Sequence, residues 1–305
     1  MSLNRRNLFR VAGTALAASA FASSHVLAAD GIERTGEPRF QLGLAAYSFR
    51  KHFGYMKGKV VDAAEPKLRM VGFLDYCRDQ GFDAAELTSY FFPPDASREY
   101  FLDLKREAYL RGVAISGTAI GNNFTIGAGE RLDKEIGAAI EWIEKAAMLG
   151  APHIRFFAGK GKELDDHPER LGEAIEAMKK CAAVAANHGI FLGVENHGNL
   201  RPDQLLPIIE GIDHPWVGIN LDTGNFLSED PYGDLEKCAP YAVNVQVKVS
   251  MKKPDGTKYP ADLDRVAGIL KDSNYQGFVI LEYEESEPYE EIPRYADQLR
   301  KSLGQ

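Results

Sequence analysis

Cysteine is scarce in this chain. Its 305 residues hold three, Cys77, Cys181 and Cys238. The number is odd, the spacing is wide, and no Cys-x-x-Cys pair is present. A disulfide framework is therefore excluded, and free buried thiols are the plain reading. Basic charge is in deficit too. Lys and Arg number 36 against 44 Asp and Glu, a formal net charge of −8. Such a chain is a poor ligand for DNA, RNA or anionic lipid. No Gly-x-Gly-x-x-Gly follows the first strand candidate, which weakens a dinucleotide-binding open sheet. Low-complexity tracts and short-period repeats are lacking as well. What remains, 45% hydrophobic and 26% charged, is the composition of a soluble chain long enough to bury a large core.

The first thirty residues stand apart. Arg5, Arg6 and Arg10 precede any acid, a soft apolar run follows from Val11, and the stretch ends in Val26-Leu27-Ala28-Ala29. A basic start, an apolar centre and a small-residue cleavage site make an export signal. The pair within Asn4-Arg5-Arg6-Asn7-Leu8-Phe9 is of twin-arginine type, which exports folded proteins. Gly13, Ser19, Ser23, Ser24 and His25 make the run a poor membrane span, which needs about 20 predominantly apolar residues. With no Cys after the run, a lipid anchor is not expected. We therefore expect a signal peptide at 1–29, a Gly- and Pro-broken linker at 30–40 and one domain at 41–305. The expected location is the periplasm or another exported compartment, and the expected partner is the twin-arginine machinery. Loss of the three arginines and no acid moves the charge from −8 to −11.

From residue 42 on, apolar β-like runs alternate with segments of helical spacing. Strands are predicted at 42–47, 84–87, 113–117, 153–157, 190–194, 217–221, 243–247 and 278–281. Helices are predicted at 67–80, 97–111, 130–149, 168–188, 202–211, 232–238, 261–272 and 288–302, several ended by Gly. A long segment after the first strand, with His52, Phe53 and Tyr55, reads as a lid or a surface loop. Eight strands, each followed by helix, imply parallel pairing through crossovers. In a chain of this length that is a single (β/α)8 TIM barrel.

Chemistry-bearing residues collect at the ends of the last four strands. Strand side chains alternate with period two, so Gly193 and Glu195 share a face, as do Asn220 and Asp222, Gln246 and Lys248, and Ile280 and Glu282. Glu195, Asp222, Gln246 and Glu282 then converge at the carboxyl end of the barrel, where barrels carry their chemistry. Three carboxylates in an apolar barrel repel one another and lose solvation. A divalent cation offsets most of that charge, and oxygen donors suit Mg²⁺ or Mn²⁺.

Four stretches together, Val194-Glu195-Asn196-His197-Gly198, Leu221-Asp222-Thr223-Gly224-Asn225, Gln246-Val247-Lys248 and Leu281-Glu282-Tyr283, resemble the sugar phosphate isomerase/epimerase family of the xylose isomerase-like TIM barrels. Arg155 in Ile154-Arg155-Phe156-Phe157 fits its fourth-strand pattern. The resemblance implies a divalent metal on Glu195, Asp222 and Glu282, with a fourth ligand from strand seven. The family has His there, two residues before the Lys, and this chain has Gln246. If Gln246 ligates, the site is all-oxygen and favours Mn²⁺ or Mg²⁺ over Zn²⁺, Co²⁺ or Ni²⁺. If it does not, the metal is weak or lost. The resemblance also implies proton transfer next to a carbonyl of a small sugar-like substrate, with Glu195 and Glu282 as the catalytic pair and Asp222 as ligand.

The bland readings stand beside these. Glu195 and Glu282 fit equally as buried ion-pair partners of Arg155 or Lys248. Lys248 serves a substrate oxyanion or neutralises a ligand carboxylate. His197 contacts substrate or caps the strand; Arg155 and Glu86 are candidate substrate contacts. His153 is structural, His52 is a solvated loop residue by default, and the acids after Glu282 read as solvated loop. Three functions follow: an isomerase or epimerase working through an enediolate, a lyase or dehydratase on an oxidised sugar, and a non-catalytic exported sugar-binding barrel. DNA repair endonuclease chemistry, which needs a histidine-rich multi-metal centre, is disfavoured by seven scattered His.

Overall fold

The structure is a computed structural model that describes residues 31–305. The expected signal peptide lies outside the described residues. Eight parallel strands, numbered here without the short ribbons beside them, form a closed barrel. They are β1 Arg39–Ala45, β2 Ala84–Glu86, β3 Ala114–Ala119, β4 His153–Phe157, β5 Phe191–Glu195, β6 Val217–Asp222, β7 Ala242–Val247 and β8 Gln276–Leu281. The ring closes through β1, with Leu44 opposite Leu281 of β8 and Ala45 opposite Glu86 of β2. This is a (β/α)8 TIM barrel.

Around the ring lie α1 Met70–Asp79, α2 Arg98–Leu110, α3 Glu130–Leu149, α4 Gly161–Asp166, α5 Arg170–His188, α6 Pro202–Ile212, α7 Pro231–Cys238, α8 Leu263–Asp272 and α9 Pro288–Leu303. Their boundaries follow from local chemistry. In α3, Leu132, Ile136, Ala139, Ile143, Ala146 and Leu149 recur at helical spacing and are buried. One stripe therefore faces the sheet. Gly150, at φ 76°, ends the helix in the left-handed conformation that glycine adopts freely. Asp262 and Asp230 accept the first free backbone N–H groups of α8 and α7. Among the described residues, no helix is long and apolar enough to cross a membrane. All three cysteines are free and buried.

Three local features depart from the sequence reading. Strand β1 begins at Arg39, inside the stretch expected as linker. The residues before it lie across the amino-terminal mouth of the barrel. The Ile32 N–H donates to Pro240 O at 2.9 Å, and Arg34 reaches Ala242 O with its guanidinium 5.3 Å from the Tyr275 ring. His52 is not a solvated loop residue. It is buried, with its ring against Phe49 and Tyr289 and Nδ1 3.2 Å from Pro66 O. Two small ribbons, Tyr55–Met56 with Lys59–Val60 and Ser250–Lys252 with Lys258–Pro260, occupy stretches read as loop.

Deep in the lumen, His153 shows how the barrel makes room for large residues. A Cβ on Gly193 would lie 2.2 Å from its Nε2, and one on Gly117 would lie 2.7 Å from its Nδ1. Both ring nitrogens are buried without a hydrogen-bond partner. Burial, with Arg155 nearby, lowers the imidazole pKa to about 3, so the ring is a neutral filler.

Candidate active site at the carboxyl mouth of the barrel

Strand register assembles the site. Phe157 lies opposite Glu195, Glu195 opposite Asn220, Asp222 opposite Gln246, and Gln246 opposite Ile280. Two turns hold the strand ends still. Buried Asn196 donates to Asp222 O and accepts from the Asp222 N–H, both at 2.8 Å, tying β5 to β6. The Lys248 N–H donates to Thr223 Oγ1 at 3.0 Å, tying β7 to the turn after β6.

The inward side chains form two layers. The deeper one is built from amides. Asn220 donates to Gln246 Oε1 at 2.6 Å, and Asn244 donates to Asn220 Oδ1 at 2.7 Å. Gln246 and Asn244 then donate to the two carboxylate oxygens of Glu86, at 2.9 and 3.4 Å. All four residues are buried. Burial, reinforced by the charge of Glu282, pushes the Glu86 pKa up to about 8.

The outer layer is built from charges. Lys248 Nζ lies 2.6 Å from Glu284 Oε1, 2.9 Å from Glu282 Oε1 and 3.3 Å from Asp222 Oδ2. Asp222 Oδ1 accepts the Gly224 N–H at 2.9 Å. Across the mouth, Arg155 Nε lies 2.8 Å from Glu195 Oε2. Its N–H is turned off that oxygen, so the pair is coulombic rather than a hydrogen bond. Asn225 donates to Glu195 Oε1 at 2.8 Å, and His197 Nδ1 lies 3.2 Å from the same atom. The half-exposed His197 ring stacks on Phe157 with centroids 3.9 Å apart.

These surroundings drive the carboxylates apart. Burial works to raise Glu195, but Arg155 and His197 outweigh it and hold its pKa below the ordinary value. Burial dominates at Glu282 and raises it despite Lys248. Asp222 is likewise pushed up to about 8 by burial, against the pull of Lys248. Lys248 and Arg155 both stay charged; burial opposes this, and the facing carboxylates overcome it. Beside the site, a cavity of about 440 Å³ opens along Tyr90, Asn122, Phe101 and Trp142.

The chain matches the xylose isomerase-like TIM barrel family over residues 74–303. It belongs to that family. It is 23% identical to 3-dehydroshikimate dehydratase of Bacillus anthracis over 192 residues, 59% of this chain and 67% of that one. Among solved structures, D-psicose 3-epimerase of Clostridium cellulolyticum H10 superposes with TM-score 0.68 at 14% identity, over 86% of this chain and 99% of that one. The IOLI protein, solved with a zinc atom bound, gives TM-score 0.62 at 17% identity, over 87% and 96% of the two chains. At such identities the structural likeness speaks for the fold alone.

In this xylose isomerase-like barrel the expected metal ligands do not fit a metal as they stand. Gln246 has both amide atoms engaged, Oε1 by Asn220 and Nε2 by Glu86. Glu195 is held by Arg155. Asp222 and Glu282 face an ammonium, not a free centre. Among the described residues, no three His, Cys, Asp or Glu side chains converge closely enough to hold an ion.

The barrel brings together every residue singled out from the sequence: Glu86, Arg155, Glu195, His197, Asp222, Gln246, Lys248 and Glu282. It adds some that sequence reasoning missed. Glu284 is not solvated loop, because its carboxylate accepts from Lys248 and its backbone O accepts from Arg50 Nη2 at 2.7 Å. Its position two residues beyond Glu282 was the signal. Glu285 accepts from Ser250 Oγ and Lys258 Nζ, which joins the β8 end to the 250–260 ribbon. Asn225, at the end of the Leu221–Asn225 stretch, is a partner of Glu195 that the sequence pattern does not announce.

Proposed function

We propose that this protein is a sugar-modifying enzyme that moves a proton next to a carbonyl, isomerising or epimerising a hydroxy-carbonyl sugar through an enediolate. One observation carries the reading. Glu195 and Glu282 are buried strand-end carboxylates of one mouth, with proton affinities shifted in opposite directions. Such divergence is what separates an acid from a base at one pH. Glu195, held ionised beside Arg155 and His197, takes the proton from the carbon beside the carbonyl. The C–H electron pair becomes the carbon–carbon π bond, and the carbonyl π pair moves onto oxygen. Glu282, whose burial favours its protonated form, serves the other side and returns a proton. Return to the same carbon inverts it; return to the former carbonyl carbon, with the neighbouring hydroxyl proton passing to the former carbonyl oxygen, shifts the carbonyl. Arg155 fixes the Glu195 carboxylate and keeps it ionised until it is used.

The dehydratase relative supports a second reading on the same residues. Expulsion of a β-substituent from the same enediolate makes the enzyme a lyase on an oxidised sugar. The test is incubation of purified protein with a panel of ketoses and keto-sugars in D₂O, followed by NMR. Deuterium entering a substrate that keeps all its substituents supports isomerisation or epimerisation. Loss of a β-substituent supports the lyase, and no exchange with any sugar refutes both.

A further inference from the structure

We propose that Lys248 takes the place of a divalent cation in this site, and that its ammonium is the electrophile that receives the charge developing on the substrate's carbonyl oxygen. The second half rests on the proton-transfer reading above; the first half does not.

Three observations converge. The ammonium sits within 3.3 Å of oxygens from Asp222, Glu282 and Glu284, three acids on the ends of β6 and β8. Mg²⁺ and Ca²⁺ need their oxygens at about 2.0–2.6 Å, so an ion binding Asp222 and Glu282 has to evict the ammonium. The void left between Lys248, Asn225, Glu282 and Glu284 is about 20 Å³, enough for a single water and no hydrated ion. Second, the lysine is built in rather than draped over the mouth. Its backbone is pinned by Thr223, and its stem lies against Gly224, where an added Cβ would meet Lys248 Cγ at 2.6 Å and Cβ at 2.8 Å. Third, the neutral ligand is spent, because Gln246 is bound from both ends within the amide layer. A lysine with one positive charge, a third acid to hold it and an amide turned to another task form one consistent set.

During the reaction the carbonyl oxygen gains an electron pair as the neighbouring carbon loses its proton to a carboxylate. A Lys248 N–H donates a charge-assisted hydrogen bond to that oxygen. No proton need leave the lysine, and the interaction relaxes when carbon is reprotonated.

The test uses the intact protein, stripped with chelator and titrated with Mn²⁺, with free Mn²⁺ read by electron paramagnetic resonance and melting followed with and without millimolar Mn²⁺. The wild type should bind no Mn²⁺ and melt unchanged. Lys248→Met keeps the stem and removes the charge; it should bind Mn²⁺ and melt higher with it, since a ligand of the folded state alone raises stability. Stoichiometric Mn²⁺ binding by the wild type that disappears in Asp222→Asn overturns the proposal. If Lys248→Met does not fold, the wild-type titration and anomalous diffraction from wild-type crystals grown in MnCl₂ still decide it. For the electrophile, exchange of sugar protons in D₂O should be unaffected by chelator. Exchange abolished by chelator and restored by Mn²⁺ sinks the lysine role and leaves the proton-transfer reading intact. No exchange on any sugar, with no Mn²⁺ bound, removes proton transfer and leaves the ammonium in the cation's place.

Discussion

Two layers of polar side chains lie one above the other in this barrel, Asn220 beneath Asp222 on β6 and Gln246 beneath Lys248 at the end of β7, and they obey opposite rules. The lower layer, Glu86, Asn220, Asn244 and Gln246, is closed on itself by hydrogen bonds, with Asn244 Oδ1 left over. Buried polar groups satisfied this way hold a unique arrangement and have little left to offer a ligand. The upper layer is unbalanced. Glu195, Asp222, Glu282 and Glu284 are four acids set against two buried cations, Arg155 and Lys248, with half-exposed His197 beside Glu195. Charge left unbalanced in a desolvated place shifts proton affinities, and that is where proton chemistry is found. The comparison separates residues that hold the barrel open from residues that act in it, although both sets look alike as letters.

The upper layer offers the sharpest test. Glu282→Gln and Glu195→Gln should each lower turnover by about 10²–10⁴-fold, the range of general acid–base catalysis, with far-ultraviolet circular dichroism unchanged. Near-normal turnover in either variant removes that residue from the chemistry. Next comes the lower layer. Gln246→Leu strands the Asn220 amide and one oxygen of Glu86, and should cost about 1–3 kcal/mol in denaturant melts with turnover nearly kept. A turnover loss as deep as that of Glu282→Gln breaks the distinction between the layers. The smallest effect is in pH. Glu86 has its pKa raised from 4.5 to about 8 in the folded state, so the fold favours its protonated form. Its contribution to stability is full below about pH 4.5 and is lost as pH rises towards 8. Glu86→Gln, whose amide stands in for the protonated acid, should flatten that part of the stability profile. An unchanged slope would place the titration elsewhere.

Much of this was legible in the letters. The 130–149 helix stands where its apolar period put it, because a long amphipathic run with a glycine stop leaves little choice. All eight strands were readable, since a parallel barrel repeats one apolar run and one turn eight times. Period-two alternation put Glu195, Asp222, Lys248 and Glu282 at one mouth. The direction of the Gln246 amide was not readable, because its partner Glu86 lies on the far side of the ring, 160 residues away. The pairing of Lys248 with carboxylates stays open in the letters, because nothing local decides between an ammonium and a metal. The ribbon at 250–260 was missed although Pro254-Asp255-Gly256 is a turn signal; its strands have three residues each, too short to show alternation.

The chain enters the barrel from below. Ile32 and Arg34 fasten it to Pro240 and Ala242, where β7 begins, at the end opposite the carboxyl mouth. A partner protein fused at Gly31 would therefore sit under the floor of the barrel and leave the carboxyl mouth clear.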